Sequence, residues 1–246
     1  MTSSHATHTA PSPTDQRRKP AGSQPLQRAG GWAALVEAAT YLVGFGVAAA
    51  YLAPAGFEDA QDSPAESLTF LLDHQVVLYA WYLVLYVVAG AALVVLVLGI
   101  HDRLERPSPA VARTTTAFGL IWAGLLLASG MIALVGQRAA VELAASDRAE
   151  AVSTWSAVSV VQEALGGGIE VVGALWVLLA SAAALRTSTV PRGLGVLGLV
   201  VGAAGAMTLV PQAGGAAVLF GLGFIAWFVW AGVVLLRSGT DVRTER

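Results

Sequence analysis

The stretch QVVLYAWYLVLYVVAGAALVVLVLGI, residues 75–100, runs without one charged side chain. A helix needs about 20 mainly apolar residues to cross a hydrocarbon core about 30 Å thick, and this stretch exceeds that. Asp73-His74 precede it and His101-Asp102-Arg103 close it. Outward from it, five more apolar stretches meet or approach the same length, at about 31–54, 114–136, 165–185, 193–210 and 214–236. Pro54, Gln137-Arg138, Arg186, Pro211 and Arg237 are their stops. The sequence therefore predicts an all-α polytopic membrane protein, a bundle of six transmembrane helices occupying residues 31–237.

Composition leads to the same class. Of 246 residues, 56% are hydrophobic and 12% charged, with mean hydropathy +0.67. A soluble domain carries about 25% charged residues, so this chain has half the charge needed to coat a water-facing surface. Cysteine is absent, which excludes disulfides, thiolate zinc sites, iron–sulfur clusters and cysteine nucleophiles. Residues 1–30 differ in kind: Pro11, Pro13, Pro20, Pro25 and the run Arg17-Arg18-Lys19 sit among Ser, Thr and Gln. Such a segment buries too little apolar surface to fold alone and is expected to be a disordered tail, with a short second tail at 238–246. The first apolar run is longer than the 7–15-residue core of a secretory signal, and it reads as an uncleaved span.

Lys and Arg concentrate on the cytoplasmic side of membrane proteins. With six spans, one side holds Arg17, Arg18, Lys19, Arg28, Arg103, Arg106, Arg113, Arg186, Arg192, Arg237, Arg243 and Arg246, and the other only Arg138 and Arg148. Both termini are therefore expected in the cytoplasm, in the cell membrane. The outer side is acidic: Glu58, Asp59, Asp62, Glu66 and Asp73 in the first connection, Glu142, Asp147, Glu150 and Glu163 in or near the second. Those acids either attract cations or simply solvate the loops. Within the 137–164 connection Ala139 to Val152 is rich in helix-favouring residues, and no Pro or Gly interrupts the run through Val158, Val160, Val161 and Leu165 before Gly166. The fourth helix is therefore expected to start outside the membrane near Ser153, with Trp155 in the interfacial aromatic belt.

Ionisable residues inside a bilayer are costly and are functional candidates by default. Glu37 and Glu170 are the clear cases, with Glu163 near the boundary. At about 1.5 Å per residue, Glu37 falls near the cytoplasmic end of the first span and Glu170 about one turn below the outer end of the fourth. That puts them roughly 10–15 Å apart along the membrane normal, where they either bracket a polar cavity or proton path or each accept structural hydrogen bonds. His74 and His101 sit at opposite ends of the second span and cannot share a metal, and no span interior holds a haem-ligating histidine. No hydrolase motif, HExxH helix or phosphate-binding loop is present. No metal, cofactor or nucleic-acid partner is expected, and the lipid bilayer is the expected surrounding.

Gly195, Gly198, Gly202 and Gly205 recur every three or four residues along the fifth span. Small residues at that spacing let helices approach closely in lipid, so this stripe is expected to pack helices, within the chain, against a second copy or against a membrane partner. Tyr79, Trp81, Tyr82 and Tyr86 gather in the outer half of the second span as belt anchors, with Tyr82 and Tyr86 sharing one face that suits a pocket wall.

From Gly166 to Thr208 the chain reads as a glycine run, Glu170, then Val-Gly-Ala-Leu-Trp-Val-Leu-Leu, a short basic turn at Val190-Pro191-Arg192-Gly193-Leu194-Gly195, and a glycine-rich span. With Gly30-Gly31 ahead of Glu37, this pattern resembles the bacterial six-helix membrane proteins grouped as domain of unknown function 4386, over residues 30–237. The matching residues are Glu170, Gly173, Trp176, Pro191, Arg192 and Gly198. The resemblance implies a six-helix integral protein and carries no activity with it. Two functional readings follow from the residues: a small-solute or proton-linked permeation protein using the intramembrane carboxyls, or a non-catalytic scaffold or sensor that packs a partner through glycine-rich helices. An enzyme lacks the clustered His, Asp, Ser or Cys that intramembrane chemistry requires.

Overall fold

A computed structural model describes residues 23–166, 170–210 and 215–237. Residues 1–22 of the predicted 1–30 tail, and the predicted tail at 238–246, lie outside the described residues. Every regular element described is helical: α1 (Ser23–Val47) continuing into a π-helical turn (Ala48–Leu52), α2 (Phe57–Ala60), α3 (Pro64–Tyr82), a second π-helical turn (Leu83–Val88) leading into α4 (Ala89–Glu105), α5 (Pro109–Ala144), α6 (Arg148–Gly166), α7 (Val171–Thr187), α8 (Arg192–Met207) and α9 (Gly215–Arg237). Five helical stretches are long and apolar enough to cross a membrane, Pro25–Leu52, Pro64–Glu105, Pro109–Ala144, Arg148–Thr187 and Gly215–Arg237, and Arg192–Met207 is a shorter apolar helix. Large apolar side chains face outward on several of them, among them Trp32, Leu42, Ile121, Val135, Val196 and Leu219. So much exposed apolar surface would be a liability in water and is the ordinary condition in lipid. The chain is a multi-pass membrane helical bundle by the length and composition of its helices.

Several boundaries differ from the sequence reading, each for a local reason. Helix α1 starts at Ser23 rather than after residue 30, because α4 satisfies its polar first turns: the Gln27 amide is buried and donates to Asp102 at 2.5 Å. The second crossing starts at Pro64 rather than Gln75. There the Ser63 hydroxyl accepts the Glu66 N–H at 3.2 Å, and Pro64 occupies the first helical position, an N-terminal signature. Leu68, Phe70 and Leu71 of that early stretch are buried, so most of the expected acidic loop is helix. The third helix runs from Pro109 to Ala144 instead of 114–136. In the fourth crossing α6 ends at Gly166 and α7 begins at Val171, with Glu170 non-helical before it and residues 167–169 outside the described residues. The fifth and sixth fall within three residues of their expected limits.

These helices build two cores. One gathers Leu93, Leu96, Trp122, Trp176, Val177, Phe220, Phe224 and Phe228 from α4, α5, α7 and α9, with Ala33, Ala34 and Ala38 of α1 and Leu194 and Val201 of α8. The other gathers Leu52, Leu68, Leu71, Leu78, Ala133, Ala140 and Trp155 from the end of α1, α3, α5 and α6. At about 1.5 Å per residue, the 36 residues of α5 extend about 54 Å, enough to serve both. Close backbone approach holds the first core together. A Cβ on Gly30 would lie 2.9 Å from the Gly99 Cα of α4, and one on the adjacent Gly31 would lie 3.1 Å from the Gly232 carbonyl oxygen of α9. The two glycines thus let α1 seat on two neighbours at one level.

The ends that carry Arg103, Arg106, Arg113, Arg186 and Arg192 come together at one end of the bundle. Leu104, Ala112, Ala183 and Ala184 form a small apolar cluster there, and the Arg103 guanidinium donates to the Thr189 carbonyl oxygen through Nε at 2.8 Å and Nη2 at 2.6 Å. At the other end α3 bends at His74, where φ is −122° and ψ 20°. Beside the bend, the buried Gln137 side chain of α5 donates to the Gln75 carbonyl oxygen at 2.6 Å. Removing that donor leaves a disrupted helix turn without its partner. Gln137→Leu also removes an amide oxygen that has no partner. The net loss of unfolding free energy is therefore expected to be about 1 kcal/mol, read from a denaturant titration in detergent; an unchanged midpoint would show the bond to be dispensable.

Candidate functional site

The two π-helical turns border one cavity. Its volume is about 220 Å³, and Tyr41, Gly44, Phe45, Ala48, Trp81, Leu85, Tyr86, Leu126, Gly166 and Glu170 line it. Ala48 belongs to the first π turn and Leu85 and Tyr86 to the second. A π turn inserts a residue into the i→i−4 ladder and re-aims the side chains around it, and such turns are common at functional sites. Depth follows from helical rise: α5 climbs about 20 Å from Arg113 to Leu126, and the second crossing about 25 Å from Arg103 to Tyr86. The cavity thus lies well inside the apolar section, nearer the end away from the basic residues.

Glu170 enters this cavity from a helix break. It is the N-cap residue of α7, with φ −89° and ψ 28°, and its side chain makes no capping hydrogen bond. Its backbone N–H donates to the Thr208 hydroxyl at 3.0 Å, and that hydroxyl donates to the Gly205 carbonyl oxygen at 2.7 Å. The carboxyl is consequently left for the cavity while the end of α8 holds the backbone. Irregular backbone at membrane depth is tolerated only where protein buries it or it lines a cavity.

The far wall is pinned by side-chain hydrogen bonds. Trp81 Nε1 donates to the Gly44 carbonyl oxygen at 3.0 Å, tying α3 to α1. The Ser129 hydroxyl donates to the Gln162 carbonyl oxygen at 2.9 Å while the Gln162 amide donates to the Ser129 Oγ at 3.2 Å. A Cβ on Gly166 would lie 3.1 Å from the Ser129 Oγ and 3.3 Å from a Tyr86 ring carbon, so the end of α6 fits closely against this lock.

The other candidate carboxyls stand apart. Glu37 is 1% exposed on the helix that brings Ala33, Ala34 and Ala38 into the first core, and its Oε1 has no hydrogen-bond partner. It is not in the cavity wall. Tyr41, one turn further along α1, lines the cavity and lies within electrostatic reach of both Glu37 and Glu170. No hydrogen bond among the described residues joins the phenol to either carboxyl, and the two carboxyls belong to different surroundings. Glu163 is exposed on α6 and outside the wall. His74, at the outer end of the second span, bonds the Tyr51 hydroxyl through Nδ1 at 3.1 Å, and its ring packs on Phe70 at 4.3 Å. Among the described residues no group of three or more His, Asp or Glu is placed to hold a metal ion.

The glycine stripe faces this chain's own helices. Gly195 lies against Leu185, Gly198 against Ser181 and Trp227, Gly202 against Leu178 and Val177, and Gly205 against Phe220 and Ala174. Those neighbours belong to α7 and α9, so the stripe offers no free face for a partner. Sequence reading singled out Glu170, Trp81 and Tyr86 but missed Tyr41, Phe45 and Thr208. Tyr41, Phe45 and Ala48 follow Glu37 at four, eight and eleven residues, a helical stripe that carried the missing signal. Compared with protein-family models, curated proteins and solved structures, the chain matches none.

Proposed function

We propose that this chain is a protein of the cell membrane, with both termini cytoplasmic, that passes protons or a small solute through the cavity at Glu170. The observation that carries the reading is a carboxyl at a break between two helices, lining an aromatic cavity of about 220 Å³ at membrane depth. An acid in that setting costs about 2.5–3.5 kcal/mol on insertion scales and contributes nothing to an ordinary helix contact. Broken helices whose ends meet at a central site are a recurring transporter device. Glu170 is the exchanging group, Tyr41 lines its cavity one helical turn from Glu37, and the gathered arginines mark the cytoplasmic end. The pattern of Glu170, Gly173, Trp176, Pro191 and Arg192 favours membership of the six-helix group named above, domain of unknown function 4386.

The test is dissipation of an imposed proton gradient in liposomes holding the full chain and an internal pH dye. Glu170→Gln keeps the shape of the side chain and removes its charge. It is expected to slow dissipation at least tenfold at equal incorporation. Equal rates for the two proteins, or a wild type no faster than empty liposomes for protons and for small solutes, would overturn the permeation reading.

A further inference from the structure

We infer that the Glu170 cavity is a binding site for a small organic cation of the quaternary or tertiary ammonium type, a substrate class that rests on the permeation reading and deepens it. The lining is chemically one-sided. Among its described residues are one carboxyl, Glu170, four aromatic rings, Tyr41, Phe45, Trp81 and Tyr86, and no Lys, Arg or His. The remainder, Gly44, Ala48, Leu85, Leu126 and Gly166, is apolar or bare backbone.

Each competing ligand class meets an obstacle in that list. An anion would be repelled by Glu170 without any cationic side chain to compensate. The positive end of α7 amounts to only about half a unit charge, less than the carboxylate it faces. A bare metal cation asks for six or more oxygen ligands, which one carboxylate and two phenols do not supply. A neutral apolar solute would bury the carboxylate without a counter-charge. An alkylammonium meets both halves of the lining at once: its charge pairs with Glu170, and its alkyl groups lie against rings whose faces attract cations. Trp81, the ring type best suited to that contact, is held in the wall by its hydrogen bond to Gly44.

Size and supply agree with this class. The cavity, about 220 Å³, is several times the roughly 30 Å³ that a water molecule occupies, and it accommodates a centre bearing short alkyl arms. Glu58, Asp59, Asp62, Glu66, Asp73, Glu142, Asp147 and Glu150 are exposed on α2, α3, α5, α6 and their connections, away from the arginine-bearing end. Charge of one sign on a surface raises the local concentration of the opposite ion, so organic cations are enriched on the side nearer the cavity.

The experiment is equilibrium dialysis of labelled tetraethylammonium against the full chain in lipid nanodiscs. Saturable one-to-one binding is expected, with 3,3-dimethylbutanol, a neutral molecule with a branched alkyl head, failing to compete. Glu170→Gln should weaken binding about 100-fold or more. Trp81→Leu should weaken it about tenfold to thirtyfold and Trp81→Phe by a smaller factor, since the aromatic face rather than the indole N–H makes the contact. Unfolding midpoints of all three variants verify that each is folded. Absence of saturable binding, equal affinity in Glu170→Gln, or competition by the neutral alcohol would overturn the inference. Glu170-dependent proton flux without tetraethylammonium binding would sink the substrate class alone. Glu170-dependent binding without flux of any solute would keep the site and sink permeation.

Discussion

Gly198→Leu is expected to unfold the corner formed by α7, α8 and α9. A Cβ at this position would collide with the Ser181 Oγ and come within 2.7 Å of Trp227 Nε1 and 3.0 Å of the Ser181 Cβ. Both neighbours are buried, and the void they line is only about 40 Å³. Trp227 is 4% exposed and packs its ring on Trp176 at 5.5 Å, on Phe224 at 5.9 Å and on Phe228 at 5.6 Å. Ser181 is 3% exposed on a helix whose other buried faces hold Val177 and Ala184. Overpacking a filled core costs about 1–3 kcal/mol for modest insertions. Four added carbons wedged between two helices should exceed about 3 kcal/mol, a large share of the roughly 5–15 kcal/mol that holds a domain together. Gly124→Leu is the matched control, because a Cβ at Gly124 meets nothing within 4 Å. In detergent, Gly198→Leu should lose its cooperative thermal transition while Gly124→Leu keeps the wild-type midpoint. If the two variants melt together, Gly198 does not seat α8 on its own chain, and the glycine stripe becomes available to a partner again.

That experiment bears on how the sequence can be read. The apolar stretches were legible because a backbone in lipid has to satisfy its own hydrogen bonds, which leaves a helix of about 20 residues as the only spanning unit. Their extensions were less so. Residues 64–74 look polar enough for a loop, yet a Ser63–Glu66 cap and a buried face at Leu68, Phe70 and Leu71 make them helix. The π turns at Ala48–Leu52 and Leu83–Val88 left no mark at all, since their residues are as apolar as those on either side. The spacing of the glycines was plain, but its partners depend on which helices adjoin α8, a property of topology rather than pattern. For the site, Glu170 stood out because it is an acid in an apolar run. The cavity did not, because its wall draws residues from the first, second, third and fourth crossings, and no local window contains them together.

Glu37→Leu is expected to make the protein more stable and less active. The side chain is 1% exposed, with one carboxyl oxygen lacking any hydrogen-bond partner, on a helix whose Ala33, Ala34 and Ala38 belong to the first core. Its backbone carbonyl is already occupied by the Thr40 hydroxyl at 2.8 Å, so replacement disturbs no backbone contact. An unpartnered buried polar group costs about 1–3 kcal/mol, and leucine of similar volume returns that amount. The unfolding free energy of Glu37→Leu should therefore rise by about 1–3 kcal/mol in a chemical denaturation series. A fall instead would show that Glu37 has a hydrogen-bonding partner whose loss outweighs the relief. Activity should move the other way. Tyr41, one helical turn from Glu37, lines the cavity, so deleting the lower carboxyl removes the next ionisable group toward the basic end. A several-fold slower proton leak at higher stability would separate the two properties at one residue. Unchanged flux would confine the chemistry to Glu170 and leave Glu37 a destabilising acid outside the path.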